Sequence, residues 1–159
     1  MANESTLVSD DLFSLIVSSS PLVSVDLVIE NYSQKILLGL RENRPAKGYW
    51  FVPGGRITKN EKICDAIDRV LKKETGLKGV DYQKRFIGVF EHFYSDSAFG
   101  DNSEINTHYI AIAYHITADY KEGMENNDDQ HSELRWFPKA EIIEEENVHH
   151  YSQEYFSHL

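Results

Sequence analysis

Apolar residues recur along this chain with two different periods, and their alternation predicts a mixed α/β fold. Over residues 22–29 the pattern changes side at each step, with Val23, Val25, Leu27 and Ile29 on one side of a strand and Ser24 and Asp26 on the other. Residues 36–40 and 49–52 read as further strands. The aromatic and β-branched stretches 86–94 and 109–116 read as central ones, and 134–137 as a last short one. Between these, Ile63, Ala66, Ile67, Val70 and Leu71 repeat at three- and four-residue spacing, the mark of a helix with one apolar face. Asn60 is placed to cap its start, and Gly76 to end it in the left-handed conformation. Residues 10–18 predict a first helix, Pro138 opens another at its first position, and Val148, Tyr151, Tyr155 and Leu159 line the last. The polar run 95–106 predicts a loop over the site.

Composition narrows this picture to a small enzyme-sized unit. With 159 residues and no repeat, linker or low-complexity segment, a single domain spanning 1–159 is expected, large enough for a substantial core. The lone cysteine, Cys64, excludes an internal disulfide, and its position near the apolar helix face predicts a small buried hydrophobe. No charged start precedes an apolar run and no apolar stretch reaches membrane-spanning length, so the cytoplasm is the default location. A net charge of -10 argues against nucleic acid or an anionic membrane as a partner. The charge is uneven: residues 119–146 hold ten acids against three bases, whereas Arg41, Arg44, Lys47 and Arg56 cluster with only Glu42 among them. That cluster is suited to a small phosphate ester, a solvated charged loop being the competing reading.

The chemistry concentrates at the boxed helix. Pro53-Gly54-Gly55 predicts a flexible turn whose backbone can approach a ligand, followed by Arg56. Glu61, Arg69 and Glu74 put one acid before the helix and a base and an acid towards its end, where a hard cation and a phosphate could meet. Mg²⁺ needs few protein oxygens when its substrate brings phosphates. The bland alternative is an amphipathic helix with a solvated charged face.

The spacing resembles the Nudix hydrolase box, matched by Gly55, Glu61 and the run Arg69-Val70-Leu71-Lys72-Lys73-Glu74-Thr75-Gly76-Leu77. Val70 and Lys73 stand where that family usually has glutamates. A protonated lysine cannot ligate Mg²⁺, so one metal is expected where typical members hold more. The flanks Pro21 to Asp26, Arg41 to Ala46, Gly48 to Pro53, His92-Phe93-Tyr94 and Asp129-Gln130-His131 resemble the GDP-mannose mannosyl hydrolases, an atypical Nudix branch lacking the same two glutamates.

This resemblance implies an α/β/α sandwich around a mixed sheet, a homodimer and a small-molecule nucleotide sugar as partner. It implies hydrolysis at the anomeric carbon with inversion, releasing GDP. Mg²⁺, one per subunit, would be held by Glu74, Gln130 and the Gly54 carbonyl, and Arg41, Arg56 and Tyr109 would help neutralise the leaving group. His131 becomes the general base and Asp26 the stabiliser of an oxocarbenium ion. Leu7, Val8, Phe13, Arg41 and His92 become substrate contacts. On the residues alone, Asp26 is a sheet-face acid exposed to water or paired with an arginine, and Gln130 and His131 are surface residues of an acidic loop. His92, His108 and His115 read as hydrogen-bonded structural histidines in strands, and His149, His150 and His158 as solvated ones in the last helix. The rivals are a Nudix pyrophosphatase attacking phosphorus and a Nudix-shaped binding module without catalysis.

Overall fold

The computed structural model describes residues 9–74, 81–99, 105–123 and 133–159, with Glu74 described by its backbone alone. Helix α1 (Asp10–Ser19) leads into β1 (Leu22–Asn31), β2 (Lys35–Leu40), β3 (Trp50–Phe51) and β4 (Gly54–Arg56). Helix α2 (Ile63–Glu74), β5 (Tyr82–Tyr94), β6 (Thr107–Ala118), β7 (Leu134–Pro138), a 3₁₀ turn (Lys139–Glu141) and helix α3 (His150–Phe156) follow. The sheet is mixed, in the order β3-β2-β1-β6-β5, with β6 parallel to β1 and β7 antiparallel to β2.

The other edge of β1 is divided. β2 meets it at Glu30 and β4 lies antiparallel to Ser24, Val25 and Asp26, so the segment expected as a flexible turn is a short strand. Helices cover both faces. Val25, Leu27 and Ile29 pack with Ala66, Ile67, Val70 and Leu71 of α2, while Val28 packs with Phe90, Tyr155 and Phe156 on the α3 side. Ser24 and Asp26, on the side of the strand opposite Val25, are therefore buried at 6% and 9% exposure, and Val23 is the exposed member of the strand at 40%. Period two identifies which residues share a face, not whether that face meets water.

Strand β5 lies at the edge of the sheet and exposes much of its length, so of the two strands expected to be central only β6 is flanked on both sides. A bulge between Phe86 and Gly88 inserts Ile87 into β5 and reverses its parity. Tyr82 accordingly packs with the α2-side cluster and Phe90, of the same parity, with the α3-side cluster. His92 follows Phe90 onto the α3 face and is buried.

Four further expectations change. Cys64 is exposed: it lies in the first turn of α2, one helical turn from the exposed Asp68. Asn60 precedes α2 by three residues with φ 68 and shapes the turn before the helix instead of capping it. Pro138 ends β7 opposite Lys35, where a missing N–H is tolerated, and the 3₁₀ turn begins after it. His149 is buried as the N-cap of α3, its Nδ1 accepting from Tyr151 N at 3.3 Å and its ring stacked on Phe51 at 4.6 Å.

Candidate active site

Residues of the sheet and of the 41–45 loop together line a cleft of about 410 Å³, among them Ser24, Asp26, Arg41, Phe51, Gly54, Arg56, His92, Tyr94 and Tyr109. Six residues singled out in the sequence thus meet in one place: Asp26, Arg41, Gly54, Arg56, His92 and Tyr109.

Each is placed by a local cause. Gly54 pairs with Asp26 across β4 and β1, and a Cβ there would lie 2.7 Å from Asp26 Oδ1 and 3.0 Å from the Val25 carbonyl, so only glycine fits beside that carboxylate. Gly55 rests on Val70, whose Cγ2 would be 2.9 Å from an added Cβ. Val70 is fully buried and Lys73 exposed, so one unusual box position is a packing contact and the other a solvated cation. Arg56 is oriented twice over. Its guanidinium lies 4.4 Å from the Phe13 ring centroid, and its carbonyl accepts from Arg69 Nη2 at 2.8 Å. Arg69 also forks onto Glu61, Nε to Oε1 at 2.6 Å and Nη2 to Oε2 at 2.9 Å, while Thr58 N donates to Oε2 at 2.9 Å. These bonds hold the Glu61 carboxyl well below the usual range, at about 2. In the described geometry, Glu61 and Arg69 brace the loop and do not face the cleft as ligands.

Asp26 accepts from Tyr155 Oη at 2.6 Å and from Ser24 Oγ at 3.2 Å. Burial pushes its pKa up, and those two donors and the Arg41 charge oppose the shift. Tyr155 Oη also lies 3.2 Å from His92 Nε2, and Tyr151 stacks on the His92 ring at 4.1 Å. Burial lowers the pKa of His92 to about 4, keeping the imidazole neutral at ordinary pH. Burial also raises the pKa of the Tyr94 and Tyr109 phenols, which remain protonated donors. Arg41 Nε is buried without a hydrogen-bond partner among the described residues, its guanidinium 5.4 Å from the Phe51 ring. A buried donor of this kind is costly unless a ligand satisfies it.

The remaining expected residues divide into two groups. Leu7, Val8, Gln130 and His131 lie outside the described residues, as does Gly76, and α2 ends at Glu74. Of the cationic cluster, Arg41 and Arg56 line the cleft, whereas Arg44 is half-buried and Lys47 exposed. Sequence reasoning missed Phe51, Tyr94 and Tyr155. Tyr94 was within reach of the alternation from His92, but nothing in the α3 pattern marked Tyr155 as more than core. His115 is hydrogen-bonded to Glu30 at 2.7 Å, as the structural reading expects.

A NUDIX domain family model matches residues 20–159. The chain is 43% identical to the low-salt glycan biosynthesis protein Agl8 of Haloferax volcanii over 97% of its own length and 92% of that protein. It is 41% identical to an ADP-ribose pyrophosphatase of Methanocaldococcus jannaschii over 44% of its length and 40% of that protein. The fold is similar to the crystal structure of a MutT protein from Methanosarcina mazei Go1, with TM-score 0.69 at 22% identity, covering 87% of this chain and 93% of that one.

Proposed function

Because this chain belongs to the NUDIX domain family, a family of hydrolases, we propose that it hydrolyses GDP-mannose to GDP and free mannose by attack of water at the anomeric carbon with inversion. The observation that carries this reading is the pairing, in one cleft, of two arginines suited to a diphosphate with a buried carboxylate suited to a sugar cation. The glycan-biosynthesis name of the Haloferax relative supports a sugar-bearing substrate.

Members of this family typically use divalent metal ions. The donors available suit one hard cation: the Gly54 carbonyl on a backbone with no side chain in the way, with Glu74 and Gln130, while Val70 and Lys73 supply no oxygens. When bound, Mg²⁺ neutralises charge on the departing diphosphate. Arg41 and Arg56 hold the same diphosphate by charge, and Tyr109 donates to it through its protonated phenol. Asp26 stabilises positive charge as the C1–oxygen bond breaks and its electrons leave with GDP. Water oxygen bonds to C1 from the opposite face and His131 takes its proton. His131→Ala should depress kcat far more than binding, and an unchanged kcat would sink that role.

The protein is proposed to act as a homodimer on a small nucleotide sugar. The exposed apolar side chains Leu12 and Leu15 of α1 and Val89 and Phe93 of β5 support self-association. Hydrolysis in ¹⁸O-labelled water tests the reaction: label in mannose supports it, and label in phosphate overturns it in favour of a pyrophosphatase. The Methanocaldococcus relative favours that second reading. No product with excess Mg²⁺ would point to a binding module.

A further inference from the structure

We propose that Tyr155 is a positioning residue: from α3 its hydroxyl ties the Asp26 carboxylate and the His92 imidazole into one buried hydrogen-bonded chain and holds both in the orientation the sugar side of the cleft requires. The role in turnover rests on the reaction proposed above, whereas the bonded chain is a matter of geometry.

Tyr155 is fully buried, and its ring is wedged edge-on against Phe90 at 4.8 Å. The phenol has one proton and two candidate acceptors. The carboxyl oxygen at 2.6 Å is the closer acceptor, so the proton goes to Asp26 Oδ2. At 3.2 Å the remaining contact is then satisfied only if His92 Nε2 carries a proton and donates it to the phenol oxygen. A neutral His92 is thereby held as the Nε2–H tautomer, leaving Nδ1 as an acceptor. Ser24 Oγ donates to the other oxygen of Asp26 at 3.2 Å, so the carboxylate is pinned at both ends and cannot rotate freely.

One turn of α3 supplies the rest of the mount. Tyr151 is four residues before Tyr155, hence on the same helix face, and stacks on His92 with 14° between the rings. Its hydroxyl accepts from Phe93 N at 2.8 Å and donates to Phe93 O at 2.9 Å, fixing the strand that carries His92. Ser152 Oγ accepts from Val52 N at 3.0 Å, tying the same turn to the backbone just before Gly54. A tyrosine serving only the fold would need its ring in the core. This one also spans the two strands that supply Asp26 and His92.

The test is a double-mutant cycle read by GDP release from GDP-mannose. Tyr155→Phe keeps the ring and removes the hydroxyl. It should lower kcat about 10- to 100-fold, the scale of a misplaced reacting group, with KM within about twofold. In an Asp26→Ala background, where only the His92 contact remains for the hydroxyl to hold, the same change should cost several-fold less than in the wild-type background. An equal loss in both backgrounds, or an unaltered kcat in Tyr155→Phe, overturns the proposal. Ring ¹⁵N NMR of His92 in the wild-type protein does not depend on the variant folding. The Nε2–H tautomer is expected, and Nδ1–H overturns the bonded chain. A wild type that releases no GDP overturns the reaction instead, and the tautomer decides the bonded chain in either case.

Discussion

On the α2 side of the sheet, the wall of the cleft is held by an ion pair that water can reach, laid over apolar contacts. On the α3 side it is held by hydrogen bonds between largely buried groups. Arg69, with its side chain 35% exposed, forks onto Glu61 and reaches the Arg56 carbonyl, while Val70 fills the space under Gly55. Across the sheet, Tyr155, Asp26 and His92 are each under 10% exposed, and the Tyr155 hydroxyl is bonded to both of the others. The first arrangement places backbone and tolerates adjustment, because solvent can replace what a substitution removes. The second places the side chains proposed for the sugar side of the reaction and does not, because a buried polar group deprived of its partner is costly.

That contrast is tested most severely at Asp26. Asp26→Ala should reduce kcat about 1,000-fold, about 4 kcal/mol of transition-state stabilisation, with KM little changed. It should also destabilise the fold by about 1–3 kcal/mol, because the Tyr155 hydroxyl loses its acceptor. Steady-state GDP release and urea melts measure the two effects. Activity within tenfold of wild type would put the carboxylate outside the reaction and erase the functional difference between the two sides.

The two sides were unequally legible in the sequence. Three- and four-residue spacing placed α2, and the box spacing put Gly54, Gly55 and Arg56 beside it, since those contacts join residues close along the chain. The α3 side depends on contacts between distant residues. Asp26 and Tyr155 are 129 residues apart, and no local pattern distinguishes a tyrosine that packs from one that also donates. His92 faces the cleft because Ile87 is an extra residue in β5, and a bulge leaves no mark in an alternation already blurred by aromatics. Alternation put Asp26 on the face opposite Val25, but its burial came from α3 covering that face.

The paired glycines sharpen the comparison on a smaller scale. Gly54→Ala drives a methyl into Asp26 Oδ1 and the Val25 carbonyl, both fixed, and should cost about 2–3 kcal/mol in urea melts. Gly55→Ala instead meets Val70 Cγ2, an apolar atom on the adaptable side. Its smaller cost, about 1–2 kcal/mol, should be partly recovered in the Gly55→Ala/Val70→Ala double variant. Equal costs at the two glycines, or no recovery in the double variant, would mean that the α2 side is as rigid as the α3 side.

The smallest effect expected is at Arg69. Arg69→Met keeps the apolar stem and removes the fork, which should cost about 1 kcal/mol near neutral pH for a pair whose arginine side chain is 35% and whose glutamate side chain is 12% exposed. Its pH dependence is the sharper signature. The Glu61 carboxyl titrates at about 2 in the fold against an ordinary 4.5, so the fold binds its proton less readily than the unfolded chain does. That depression stabilises the protein above about pH 4.5 and is lost as pH falls towards about 2. Without Arg69, the largest cause of the depression, Glu61 should titrate nearer its ordinary value and this part of the acid limb should flatten. Melting temperatures of both proteins between pH 5 and pH 2.5 would show the gap between them narrowing as pH falls. A gap independent of pH would mean that Arg69 acts through the Arg56 carbonyl alone, a contact that does not titrate in this range.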